Sequence, residues 1–183
     1  MKLSTKFTFV SALVFLHLFS HNLAKGEDDA IKSVNAQPDL SYFSGEWQMR
    51  GRFKFNEAGE WLATKSHMNA KLALDGKVIT RTIEAPQIGL KAIDIISLDP
   101  ASGVIQYLYQ TNREPNALVF EGACKDDSCQ VFEMLRVCGI RNKSGCDSRT
   151  TISIESDNRF VARDYQNTAS QEYMSREVVY ERQ

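Results

Sequence analysis

"FSGEWQMRGRFKFN", Phe43 to Asn56, alternates with a period of two. Trp47, Met49, Gly51, Phe53 and Phe55 fall on one side of an extended strand, and Glu46, Gln48, Arg50, Arg52 and Lys54 on the other. One face is built to be dry and the other to be wet. A small protein buries one face of many strands either by stacking two sheets or by rolling one sheet into a barrel, and only the barrel leaves a lumen.

The same pattern continues downstream. Between Glu60 and Leu74 the even positions form the drier face, and Asp75-Gly76 supplies a two-residue hairpin turn. That turn sets a register in which Leu72 faces Ile79, Ala70 faces Arg81 and Met68 faces Ile83. Further strands are expected from Leu90 to Leu98, Val104 to Thr111, Ala117 to Ala123, Gln130 to Val137, Thr150 to Glu155, Phe160 to Tyr165 and Tyr173 to Glu181. Nine or ten antiparallel strands with hairpin links and no long amphipathic helix predict a single all-β domain, an up-and-down barrel over residues 40–183. A terminal strand that pairs with the first removes both sheet edges at once, which favours the barrel over a sandwich.

Ahead of this domain, Lys2 and Lys6 precede an apolar run from Phe7 to Phe19, about the length of a signal-peptide core and short for a bilayer span. Residues 1–26 read as an export signal, since cleavage after Gly26 leaves Ala24 at the third position back; cleavage after Ala24 and an uncleaved anchor are the alternatives. Residues 27–39 are acidic and aperiodic and read as a flexible leader. Cleavage after Ala24 removes Lys2 and Lys6 and leaves 20 basic against 23 acidic residues. No basic face for a phosphate backbone is expected, so nucleic acid is a poor partner, and no later apolar run is long enough for a membrane helix. The destination is the periplasm or the cell exterior.

Export places Cys124, Cys129, Cys138 and Cys146 where disulfides persist. Each of the pairs Cys124 with Cys129 and Cys138 with Cys146 brackets a polar, turn-rich stretch, and this connectivity is expected among the three available. A zinc site is the rival, but the spacings lack the close paired knuckles of common zinc sites. Asn142-Lys143-Ser144 matches a glycosylation sequon, meaningful only in a eukaryotic secretory route.

Five motifs taken in order, "SGEWQMRG", "LDGKVITR", "ISLDPASGVIQYLY", "DNRFVARDY" and "REVVYERQ", resemble a mostly bacterial family of secreted proteins, domain of unknown function 1579. The resemblance covers roughly residues 40–183 and implies a lipocalin-like fold with no assigned activity. Gly45-x-Trp47 is similar to the Gly-x-Trp signature of lipocalins, which implies a Trp packed at the closed end beneath an Arg of the last strand, here Arg176 or Arg182. The segment 124–146 looks like an addition to the family pattern.

Chemistry is harder to find. After cleavage His67 is the one histidine, on the polar side of its strand, so nucleophilic catalysis through histidine and haem ligation are poor expectations; no metal or cofactor is expected. Arg81 points inward opposite small Ala70, and a register centred on "KDDS" places Glu133 inward opposite Phe120. These two charges either pair with each other, or one anchors a ligand in a cavity walled by Trp47, Phe53, Phe55, Tyr107 and Tyr109. The reading is therefore a non-catalytic binding barrel for a small apolar or amphipathic molecule, with Arg81, Glu133, Phe53, Phe55, Tyr107 and Tyr109 as ligand contacts. An enzyme using Glu133 as acid or base, and a structural barrel filled by its own side chains, are the alternatives. Nothing in the chain signals an oligomeric state.

Overall fold

The computed structural model describes residues 37–114, 116–137, 148–168 and 171–183. The expected export signal, most of the expected leader, the expected Cys138–Cys146 pairing and the sequon lie outside the described residues. Among those described, ten strands form one sheet: β1 (Gly45–Phe53), β2 (Leu62–Ala73), β3 (Val78–Ala85), β4 (Leu90–Leu98), β5 (Ile105–Thr111), β6 (Leu118–Cys124), β7 (Val131–Arg136), β8 (Ser148–Ser156), β9 (Arg159–Asn167) and β10 (Glu172–Arg182). Each pairs antiparallel with its sequence neighbour, and β1 also pairs with β10, closing an up-and-down barrel. Closure removes the sheet edges, as the sequence predicts.

In β1 the odd residues face inward: Trp47 is fully buried and Met49 nearly so. β2 and β3 pair with Met68 facing Ile83, Ala70 facing Arg81 and Leu72 facing Ile79, the register that the Asp75-Gly76 turn demands. Both turn residues have positive φ, 55° and 83°, the geometry that makes Asp-Gly a hairpin signal.

One end of the barrel is closed by a 3-10 helix, Leu40–Phe43, tucked under the hairpin turns. Asp39 starts it, its carboxylate accepting from the Ser41 N–H at 2.8 Å. Leu40 and Phe43 enter the core, where Phe43, Trp47 and Phe160 meet edge to face at centroid distances of 4.8 to 5.1 Å. Trp47 Nε1 donates to Phe43 O at 3.0 Å, so the buried indole N–H is satisfied. Arg182 lies over the Trp47 ring at 4.3 Å and donates to Ser44 O and Tyr42 O at 2.6 and 2.5 Å. Gly45 stands beside this fork with φ +112°, and a Cβ there would sit 3.0 Å from Arg182 Nη1. The backbone conformation favours glycine, and a side chain here would have to push the Arg182 fork aside, which is a physical reason for a Gly-x-Trp signature.

The β6–β7 hairpin departs from the sequence expectation. Phe120 pairs with Arg136 and Ala123 with Glu133, rather than Phe120 with Glu133. Cys124 and Cys129 are disulfide-bonded with Cα atoms 4.9 Å apart, Cys129 adopts φ 51°, and the Lys125 N–H donates to Val131 O at 2.8 Å. The turn thus closes later than "KDDS". Moving a partner from 133 to 136 is an odd shift, so it reverses which residues face the core. Met134 is fully buried, Leu135 is on the outside, and Glu133 stands on the outer wall between Lys125 Nζ (3.1 Å) and Arg149 Nη1 (2.9 Å).

Candidate functional site

Above the aromatic plug the barrel interior carries charge. Arg81 of β3 faces Asp94 of β4 across the ladder, and the two form a two-pronged pair, Nε to Oδ1 at 2.5 Å and Nη2 to Oδ2 at 2.9 Å. Both are buried, and the Tyr107 hydroxyl adds a long contact to Asp94 Oδ2 at 3.4 Å. Burial opposes the charge on Arg81, yet Asp94 outweighs it and holds the guanidinium pKa above its ordinary value. Burial also raises the Tyr107 hydroxyl pKa well above the usual phenol range. The acid answering Arg81 is therefore Asp94, not Glu133. The same alternation rule that turned Arg81 inward could have found it, because Asp94 is the one charge among Leu90, Ala92, Ile96 and Leu98 on its face of β4.

A second pair sits higher. Arg176 of β10 faces Asp164 of β9, with Nε 2.6 Å from Oδ2, while the Asp164 Oδ1 accepts from Thr150 Oγ1 at 2.9 Å. Burial works against the Arg176 charge, but Asp164 prevails and its pKa lies well above the ordinary guanidinium value. Arg176 thus belongs to the lumen wall, and of the two candidates for the closed end only Arg182 stacks on Trp47.

Around this pair the barrel holds a cavity of about 640 Å³. Phe53, Leu62, Ile83, Leu90, Leu118 and Phe120 supply much of its apolar wall, with Tyr107 and Tyr109 on one side and Thr64, Ser66 and Thr150 as scattered hydroxyls. Phe55 reaches it only at the rim: it lies past the end of β1, 79% exposed, with its ring edge-on to Phe53 at 5.4 Å. The charges lining the cavity are Lys54, Arg113 and Arg176 against Asp164 alone. Arg81 and Trp47 lie in the core outside its lining, and Glu133 is on the opposite side of the wall. The sequence-derived contacts are thus brought together in part, as Phe53, Tyr107 and Tyr109, and joined by Arg176, Asp164 and Thr64, which the sequence reading did not single out as ligand contacts.

A hollow of about 660 Å³ on the outer wall is lined by hydrophilic side chains, among them Gln48, Lys65, His67 and Glu84. His67 is 57% exposed there, 3.9 Å from Glu84. Among the described residues no group of three or more His, Cys, Asp and Glu is placed to hold a metal ion, and no helix is long and apolar enough to cross a membrane.

Fold and cavity define a class: a closed ten-stranded antiparallel barrel, plugged at one end and open at the other. The crystal structure of Rv2717c from M. tuberculosis is similar to it, with a TM-score of 0.57 at 12% identity over 79% of this chain and 94% of that one. A redesigned beta barrel matches with a TM-score of 0.45 at 10% identity over 80% of this chain and 96% of that one. No protein-family model matches the chain, and no curated protein does. At such identities the likeness to Rv2717c is one of fold.

Proposed function

We propose that this protein is an exported, non-catalytic binding barrel that takes a small apolar or amphipathic molecule into its open end. The observation that carries the reading is the cavity of about 640 Å³, within the range of small-molecule sites, walled by aliphatic and aromatic side chains. A small barrel can fill its lumen with its own side chains; here space is left around the Arg176–Asp164 pair. The excess of cations over carboxylates in the lining, in a chain of net charge −1, favours an anionic or neutral molecule over a cationic one. Export rests on the N-terminal charge and hydropathy pattern and is supported by the Cys124–Cys129 disulfide. The resemblance to secreted lipocalin-like proteins points the same way.

The test is uptake of Nile red, an uncharged dye that fluoresces in apolar surroundings, by the exported protein, together with native mass spectrometry of protein taken from its own exported compartment. Saturable binding is expected. Ser66→Leu, which places an isobutyl group into the lumen, should abolish it while leaving the melting temperature nearly unchanged. Dye binding that is indifferent to Ser66→Leu would place the dye elsewhere and remove the reading.

A further inference from the structure

Granted the lumenal ligand proposed above, three cations compete for its polar end. Lys54 Nζ is already engaged, donating to Glu57 O at 2.7 Å and lying over the Trp61 and Tyr173 rings at 5.3 and 5.1 Å. Arg113 is exposed at the rim, where water and salt screen a charge pair. Arg176 is different. It projects into the lumen between Phe53 of β1 and Asp164 of β9, with 29% of its side chain exposed.

The pairing of Arg176 is incomplete. Its Nε sits 2.6 Å from Asp164 Oδ2, but the contact lies off the hydrogen-bonding direction, so this buried nitrogen has no aligned acceptor. A guanidinium carries five donors and no acceptor. Its other near neighbours are phenols: Tyr109, whose ring centroid is 5.9 Å from the guanidinium carbon and whose hydroxyl meets it in a side-chain hydrogen bond, with Tyr107 and Tyr180 close by, so the fork still has donors beyond those Asp164 and Tyr109 engage. Asp164, meanwhile, is tied to Thr150 and cannot turn freely to serve Arg176 better. Among the described residues two buried side-chain polar atoms lack a hydrogen-bond partner, Arg176 Nε and Thr64 Oγ1, and both belong to residues lining this one cavity. Buried polar groups are normally satisfied, and two exceptions in one lumen mark the place where a polar group from outside belongs.

We infer that Arg176 is the head-group recognition residue, and that the ligand is a carboxylate-headed amphiphile which lies with its carboxylate on the Arg176 fork and its tail toward Leu62, Ile88 and Leu118 at the mouth. A planar carboxylate matches the guanidinium fork, and in the partly desolvated lumen such a pair discriminates better than one at the exposed rim. The head carries a single charge, because Asp164 already sets one carboxylate against Arg176 and a dianionic phosphate would leave a large uncompensated negative charge in the barrel.

The experiment is displacement of Nile red by dodecanoate and by dodecanol, measured on wild type, Arg176→Met, Arg113→Met and Asp164→Asn. Wild type is expected to hold the acid more tightly than the alcohol. Arg176→Met should weaken the acid on the order of tenfold and leave the alcohol nearly unchanged, whereas Arg113→Met should move the acid less than about threefold. Asp164→Asn keeps the partner of Thr150 but removes the competing charge, so it should tighten the acid without changing the alcohol. If Arg176→Met does not fold, Asp164→Asn decides: no gain for the acid overturns the inference. A loss with Arg113→Met equal to that with Arg176→Met puts the head at the rim and overturns it as well. Equal displacement by acid and alcohol in every protein removes the head-group site and leaves the apolar cavity standing, whereas failure of wild type to take up Nile red removes the cavity reading itself.

Discussion

The two ends of this barrel are built to opposite specifications. At the closed end the strands are joined by short turns such as Asp75-Gly76 and Asp157-Asn158, and a 3-10 helix is pressed into the opening, with Phe43, Trp47 and Tyr180 each packed against the Phe160 ring. At the open end β1 and β2 are joined by the longer link 54–61, and the lumen holds a cavity where the closed end holds aromatic rings. The Arg81–Asp94 pair lies in the core beside the cavity without lining it. The contrast teaches that stability is concentrated at one end so that the other can carry exposed apolar wall and incompletely paired polar groups.

That contrast can be broken most sharply at Trp47. Trp47→Ala should lower unfolding stability by about 3 to 5 kcal/mol in urea denaturation, while the protein that remains folded binds Nile red normally. A loss below about 1 kcal/mol would mean the plug is not where stability resides. Arg81→Met comes next: leaving Asp94 buried without its partner should cost about 3 kcal/mol, and Asp94→Leu added to it should restore most of the loss, because the double change exchanges a buried ion pair for apolar packing. Absence of rescue would assign the pair a role other than mutual neutralisation.

Replacing Cys124 and Cys129 together by serine opens a short loop and should cost about 2 kcal/mol, read from the urea midpoint. Asp39→Ala removes the cap of the plug helix and should cost about 0.5 to 1 kcal/mol at neutral pH. The Ser41 hydrogen bonds hold the Asp39 carboxyl pKa below its usual 3.8, so this contribution is present above that value and is lost as the pH falls through the lower folded-state pKa. The wild-type and Asp39→Ala stability curves should therefore converge in acid. Smallest of all, Phe55→Ser at the open rim should change stability by less than about 0.5 kcal/mol and weaken Nile red binding only modestly, since most of the ring is already in water.

Much of this was legible in the chain. The alternation of β1, the β2–β3 register and the inward direction of Arg81 follow from a period-two pattern and one Asp-Gly turn, both local properties. The Cys124–Cys129 bond was also legible from its polar turn, but its effect on register was not. Cys129 at φ 51° delays closure of the hairpin, and the odd shift carried Glu133 from an expected place in the lumen to the outer wall.

Strand identity, face and turn chemistry are written residue by residue, because backbone sterics and the hydrophobic effect act over a few neighbours. Which charges meet inside the barrel is another matter. Asp94 reaches Arg81, Asp164 reaches Arg176, and Arg182 rather than Arg176 covers Trp47. The first two partnerships each depend on the register of one hairpin, β3–β4 or β9–β10, and the third on how β10 closes against β1, where one odd slip reverses a whole face. The cavity depends on all the registers together, since it is the space left when every strand has been placed, and no single stretch of sequence contains it.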